Sequence, residues 1–225
     1  CSMSGIIVTE SARASASRNS ERLKSITSRL IRYTMIYGIF AAAVLIRFGR
    51  PIGILLGGGE IGGNMISAIA PVVPFIYMEI VLEAMIKGMG LQGFSSLNYL
   101  AEYVIRISIV LIAVSHTGFI GIAISYYASN IFGNTSRLIK LLHHTGVRFR
   151  PFFMVISPVV YSFMSMAAAE LLCTIAGISG NSIVSIVIFS TIWAVIYGGV
   201  FFVSHKLSSG ESNNRFFVQN EQRSI

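Results

Sequence analysis

The chain has 225 residues, of which 54% are hydrophobic and only 12% are charged. Soluble domains carry about a quarter charged residues, so this composition excludes a soluble domain and indicates a membrane protein. The formal net charge of +8 comes from lysines and arginines that cluster between apolar runs, a pattern that favours membrane topology over nucleic-acid binding.

Six apolar runs follow one another along the chain, and each is long enough to cross ~30 Å of hydrocarbon as a helix. The second run contains Pro71 and Pro74, which membrane helices tolerate. The third and fourth runs are separated only by residues 115–119, which predicts an antiparallel helical hairpin. The predicted fold is all-α, a polytopic helical membrane protein with six transmembrane helices. The predicted spans are 33–56, 65–86, 98–114, 120–142, 151–176 and 183–204.

The basic residues assign the connecting segments to two sides of the membrane. Residues 1–32 are predicted to be a basic segment containing the end of a preceding helix, residues 33–204 the membrane domain, and residues 205–225 a polar tail. Cytoplasmic segments are enriched in Lys and Arg, so both ends are predicted to be cytoplasmic. The basic residues assigned to that side are Arg13, Arg18, Arg22, Lys24, Arg29, Arg32, Lys87, Arg137, Lys140, Arg148, Arg150, Lys206, Arg215 and Arg223.

No sequence motif for an enzyme is present. Nucleotide-binding glycine patterns, metalloprotease motifs and serine-nucleophile motifs are missing, so we expect no catalytic residue, no cofactor and no enzymatic activity. The glycines at 57–59 are expected to form a flexible turn. Cys1 and Cys173 lack metal-ligand spacing, and the adjacent His143 and His144 are expected to contact lipid headgroups rather than a metal.

Ionisable residues within the spans are the informative positions, because inserting each one at a helix centre costs about 2.5–3.5 kcal/mol. Glu79 and Glu83 share one face of the second span, and Glu102 and Arg106 have the same four-residue spacing in the third. We expect Glu79 or Glu83 to face the Glu102/Arg106 pair across the hairpin and to border a polar cavity. These four residues are the candidates for substrate binding or ion coupling.

A purely structural role for the same residues stays open, in which they neutralise one another and hold the bundle together. Three further polar residues in the spans, Asn130, Asn134 and Glu170, are expected to make hydrogen bonds between helices.

Several short stretches resemble a known transporter family. They are 9–12 (TESA), 74–79 (PFIYME), 86–92 (IKGMGLQ), 118–121 (GFIG) and 129–132 (SNIF), the last running on to Arg137 and Leu138. They resemble the C-terminal half of stage V sporulation protein B-like polysaccharide exporters, which belong to the multidrug/oligosaccharidyl-lipid/polysaccharide (MOP) superfamily. The positions of Glu79, Glu83 and Glu102 are similar to acidic positions of that family.

The resemblance implies that the six spans are the C-terminal part of a fourteen-helix, MATE-like flippase fold in a bacterial plasma membrane. The chain would then be a fragment whose N-terminal half is missing. The implied function is alternating-access export of an undecaprenyl-linked oligosaccharide or peptidoglycan precursor, with possible H⁺ or Na⁺ coupling and a role in spore cortex or cell-wall synthesis. Two alternatives stay open: a drug/cation antiporter of the same superfamily, and a non-transporting scaffold for cell-wall enzymes.

Overall fold

The computed structural model describes residues 2–17, 20–147, 152–176 and 183–221. These ranges are helical apart from short turns, and they contain no strand. A 3₁₀ turn (Ala70–Val72) separates α3 from α4, and a π-helical turn (Phe152–Ile156) precedes α7. The helices are α1 (Ser2–Ala16), α2 (Ser20–Leu55), α3 (Gly59–Ile69), α4 (Val73–Gly88), α5 (Gln92–Thr117), α6 (Phe119–Thr145), α7 (Ser157–Ile175) and α8 (Ile183–Glu221).

The protein is a helical, multi-pass membrane protein by the length and hydropathy of its helices. Five segments of the described chain are long and apolar enough to cross a bilayer. They are Glu21–Leu55, Gly59–Gly88, Gln92–Thr117, Ser157–Ile175 and Ile183–Val203. Helix α6, which was predicted as the fourth span, has 27 residues but is not among the five. Helix α6 is long enough to cross a bilayer, so its polar residues, which lower its hydropathy, distinguish it from the five segments.

Several helices continue past the predicted spans, whose bounds followed the apolar runs. The first span was placed at 33–56, whereas α2 begins at Ser20 and includes Arg22 and Lys24 from the basic segment. The hairpin turn predicted at 115–119 reduces to Gly118, whose φ of 57° favours glycine. The polar tail is helical as far as Glu221. The following predicted positions lie outside the described residues: Cys1, Arg18, Arg148, Arg150, Pro151, the link at 177–182 and Arg223.

The second predicted span is a broken helix. Pro71 lies in the 3₁₀ turn and Pro74 lies in the first turn of α4, so two backbone N–H donors are missing where α3 ends and α4 begins. The hydroxyl of Tyr127 on α6 donates a 2.7 Å hydrogen bond to the carbonyl of Ala68, close to this break. A neighbouring helix thus satisfies a carbonyl at the break, as membrane helices with proline require.

Glycines let α2 and α3 pack backbone against backbone. Gly49 and Gly53 on α2 face Gly63 and Ser67 on α3, a small-residue spacing of four on both helices. A Cβ atom at Gly63 would lie 2.9 Å from the carbonyl oxygen of Arg50 and 3.0 Å from that of Gly49. Gly57 and Gly59, with φ values of 80° and 61°, form the turn between the two helices.

The chain divides into two compact units, residues Cys1–Ser157 and Pro158–Ile225. In the first unit, α4 packs against α1, α2 and α6, and α5 packs against α6. In the second unit, Trp193 on α8 is fully buried, and its indole N–H lies 3.2 Å from the carbonyl of Ser162 and 3.0 Å from the hydroxyl of Ser165. This shared contact fixes the pairing of α7 with α8.

Candidate functional site

A buried arginine joins three helices of the first unit. The side chain of Arg137 on α6 is 0% exposed and lies beside three carboxylates, those of Glu79 and Glu83 on α4 and of Glu102 on α5. The nitrogen–oxygen distances are 3.6 Å to Glu79, 3.4 Å to Glu83 and 3.1 Å to Glu102. One guanidinium group therefore links α4, α5 and α6 through ion pairs.

Two further cations lie at the edge of this arrangement. Lys87 Nζ is 3.0 Å from Glu83 Oε1, and Arg106 Nη2 is 3.1 Å from Glu102 Oε1. Their side chains are 50% and 24% exposed, whereas those of Glu83 and Glu102 are 8% and 5% exposed. Three acids thus balance three bases. We call these six residues the charge cluster: Glu79, Glu83, Lys87, Glu102, Arg106 and Arg137.

Polar and aromatic groups position the inner part of the charge cluster. The Ser95 hydroxyl donates a hydrogen bond to Glu83, and the guanidinium carbon of Arg137 lies 4.4 Å from the centre of the Tyr99 ring. Among the three carboxylates, that of Glu102 lies closest to the guanidinium of Arg137, with Nη1 3.1 Å from Oε2. A planar guanidinium can stack on an aromatic ring while it faces carboxylates, a combination that lysine cannot reproduce.

Arg106 holds the outer edge of the charge cluster. Its Nε donates a 3.0 Å hydrogen bond to the hydroxyl of Ser129 on α6. Its guanidinium carbon lies 4.7 Å from the ring centre of Tyr126 and 5.7 Å from that of Tyr103. Arg106 is thus oriented by two helices and keeps part of its surface exposed.

The sequence of α6 explains why Arg137 points inward. Ser125, Ser129, Gly133 and Arg137 recur at every fourth position and are buried, which places small and polar groups on one helix face. The exposed residues of α6 include large apolar side chains on the remaining surface. These are Ile120, Ile122, Ile124, Ile131, Phe132 and Ile139. The helix is therefore amphipathic with its polar face turned toward α4 and α5.

All four predicted site residues lie in the charge cluster, where Arg137 joins Glu79 and Glu83 on α4 to Glu102 on α5. Glu79 contacts Arg137, whereas Arg106 contacts Glu102 and Ser129. From the sequence, Arg137 was counted with the basic residues at the cytoplasmic end of the fourth predicted span, 120–142. The four-residue spacing of Ser125, Ser129, Gly133 and Arg137 is the signal that would have placed it inside.

The polar residues Asn130 and Asn134 behave differently from the prediction. Each side-chain amide donates a 2.9 Å hydrogen bond within α6, to the carbonyls of Tyr126 and Asn130 respectively, rather than to another helix. The interhelical bond comes from Asn98 on α5, whose Nδ2 lies 3.2 Å from the carbonyl of Gly133. Glu170 lies on the exposed surface of α7.

Gly133 is expected to be essential for the geometry of the charge cluster. A Cβ atom there would overlap Glu102 Oε2 and would lie 2.9 Å from Arg137 Nη1. Gly133→Ala should therefore lower the free energy of unfolding by about 1–3 kcal/mol, the usual cost of overpacking. Gly93→Ala is the matched control, because a Cβ at Gly93 meets nothing within 4 Å. Unfolding in detergent micelles measures both, and equal stability of the two variants would contradict the placement of Gly133.

No group of three or more His, Cys, Asp or Glu side chains is placed to hold a metal ion within the part of the chain that the structure describes. The carboxylates of the charge cluster face a guanidinium instead. Cys173 is a buried free cysteine on α7.

No family model matches the sequence, and no curated protein or solved structure matches it either.

Proposed function

We propose that the protein is a membrane transporter of the MOP superfamily, a flippase or exporter for an undecaprenyl-linked oligosaccharide or peptidoglycan precursor. The observation that carries the proposal is the charge cluster inside a helical membrane protein. Apolar residues can often replace a buried ion pair with no loss of stability. Stability alone therefore does not explain why six ionisable groups lie together in the charge cluster. Intramembrane ionisable residues commonly mark transport pathways.

Helix α6 supports the six-span arrangement that the proposal requires. Its low hydropathy comes from residues on its buried face, and its exposed face includes large apolar side chains such as Ile131 and Ile139. A helix of this kind can face lipid while its polar side chains face protein. With α6 as a span, the chain crosses the membrane six times, and both basic ends lie on the cytoplasmic side of a bacterial plasma membrane.

The proposed mechanism divides the charge cluster into two parts. Arg106, which is partly exposed, releases Glu102 and binds the pyrophosphate of the substrate through its guanidinium. Glu79 and Glu83 exchange contacts with Arg137 as the helices move, so that protonation or Na⁺ binding at a carboxylate biases one conformation. No chemical step on the substrate is involved. A complete pathway also needs the preceding half of the transporter.

A drug/cation antiporter is the second candidate, because three carboxylates point to one place and would suit an organic cation. A non-transporting scaffold remains the candidate from another class. In a scaffold the charge cluster would only hold α4, α5 and α6 together.

The test is transbilayer movement of a labelled undecaprenyl-pyrophosphoryl sugar by the complete protein in proteoliposomes. Glu79→Gln and Arg106→Gln are each expected to reduce the rate about tenfold or more, because each removes one partner of an ion pair in the charge cluster and unbalances its charge. The matched controls are Glu60→Gln and Arg50→Gln, which break an exposed ion pair whose side chains are 66% and 62% exposed. These controls should retain the wild-type rate.

The other outcomes decide between the alternatives. Uptake of an organic cation without lipid movement would support the antiporter. Wild-type lipid movement in both cluster variants would contradict the roles of Glu79 and Arg106. If the wild-type protein moves neither substrate, the scaffold is favoured.

A further inference from the structure

A groove on the outer surface of α5 and α6 is separate from the charge cluster. It has a volume of about 710 Å³. Its walls are mostly apolar and aromatic, and basic side chains lie at one end. We call it the α5–α6 groove, and the residues that define it here are Phe94, Ile131, Phe132, Ile139, Lys140 and His143.

The basic end of the groove is available to an anion. The ammonium group of Lys140 lies 5.4 Å from the ring centre of Phe94, and no carboxylate of the described residues lies within ion-pair distance of it. His143 is exposed at the same end and is one turn further along α6. Together they present an ammonium and an imidazole to whatever occupies the groove. By contrast, Lys87 at the same end of the bundle is paired with Glu83.

The length of the groove suits one acyl chain. The lining runs along α6 from Ala128 to Lys140, which is ~18 Å at 1.5 Å per helical residue. One leaflet of the hydrocarbon core is about 15 Å thick, half of the full core. An acyl chain lying against Ile131, Phe132 and Ile139 therefore reaches across its leaflet when its headgroup lies at Lys140.

We infer that the α5–α6 groove binds an anionic glycerophospholipid of the surrounding bilayer. The phosphate lies at Lys140 and His143, where it accepts hydrogen bonds from the ammonium and the imidazole. One acyl chain lies along the apolar wall. The inference needs only that α5 and α6 face lipid, and it stands whether or not the protein is a flippase. The recognition is chemical, since unpaired cations at a membrane surface attract anionic headgroups.

The experiment is native mass spectrometry of the whole chain in detergent with added lipid. Phosphatidylglycerol and phosphatidylcholine with identical acyl chains are compared at equal concentration. The wild-type protein is expected to retain more phosphatidylglycerol. In the Lys140→Gln/His143→Gln double variant, the preference should fall about fivefold or more, since each basic group near a headgroup contributes a factor of that order.

Two control variants test whether the preference for phosphatidylglycerol depends on the groove or only on basic residues near this end of α6. Lys140→Arg keeps the positive charge and should retain the preference. The sequence predicted headgroup contact for both histidines, but only His143 lines the groove. His144→Gln changes the other, exposed histidine and should leave the preference unchanged. Equal binding of the two lipids by the wild type, or equal loss in His144→Gln and in the double variant, would overturn the inference.

A second pair of variants tests the apolar wall. Thr135→Trp places an indole inside the groove and should reduce retention of both lipids. Val104→Trp on the exposed face of α5 adds the same indole outside the groove and should retain both. Circular dichroism confirms that each variant is folded before its lipid binding is compared. Full phosphatidylglycerol retention in folded Thr135→Trp would contradict the position of the acyl chain.

Discussion

Replacing Arg137 by glutamine is expected to lower the free energy of unfolding by about 3–5 kcal/mol, the usual cost of removing one partner from a buried ion pair. The substitution leaves Glu79, Glu83 and Glu102 facing one another without the guanidinium that separates them. Glu102 retains Arg106 and Glu83 retains Lys87, whereas Glu79 loses the only ion pair described for it. Unfolding in detergent micelles by dodecyl sulfate titration measures the difference.

A double-mutant cycle distinguishes the loss of the ion pairs from the loss of arginine packing. Arg137→Gln combined with Glu102→Gln should be less destabilised than the sum of the two single variants, because the second substitution removes one of the unpaired carboxylates. Lys140→Gln, one turn further along α6, removes a cation that has no carboxylate partner among the described residues and should change stability little. Additive effects in the cycle would contradict the contact between Arg137 and Glu102.

Replacing Gly53 by alanine is expected to destabilise the protein by about 3 kcal/mol, the upper part of the usual cost of overpacking. A Cβ atom at Gly53 would overlap the backbone of Gly63 and lie 2.8 Å from the carbonyl carbon of Gly62. Backbone atoms cannot rotate away as the end of a side chain can, so α2 and α3 must move apart. The same titration in detergent measures the loss.

Gly62→Ala provides the matched comparison for Gly53→Ala. A Cβ atom at Gly62 would lie 3.9 Å from the carbonyl oxygen of Gly53, an ordinary contact. Alanine has the higher helix propensity, by up to about 1 kcal/mol, so Gly62→Ala should be neutral or stabilising. A stability loss of the same size in both variants would indicate a general sensitivity of α3 rather than the close approach at Gly53.

The sequence predicted four members of the charge cluster but not all of their partners. Glu79, Glu83, Glu102 and Arg106 were identified because a charge within an apolar run is costly wherever the helices pack. Pairs at four-residue spacing, such as Glu102 with Arg106, were also predictable because they depend on helix geometry alone. The partner of Glu79 was missed because Arg137 lies on another helix, and the sequence does not specify which faces of α4 and α6 meet.

The weakest part of the sequence interpretation was α6. Its hydropathy averages a polar buried face with an apolar exposed face, and its basic residues Arg137 and Lys140 look alike in the sequence. In the structure Arg137 is fully buried against three carboxylates, whereas Lys140 lies at an outer groove. The difference follows from their angular positions on the helix: residues three apart are offset by about 60° around the axis, and neighbouring helices cover the side of Arg137 but not the side of Lys140.

Composition and apolar run length by themselves determined that this is a helical membrane protein. A long apolar segment in lipid has no water to bond its backbone N–H and C=O groups, and a helix satisfies them within the segment. They also determined which charged residues need an explanation. Only the tertiary structure decided that Arg137 unites Glu79, Glu83 and Glu102, and that glycines bring α2 and α3 into backbone contact. These contacts join different helices, and their energy depends on how the helices pack rather than on any local sequence pattern.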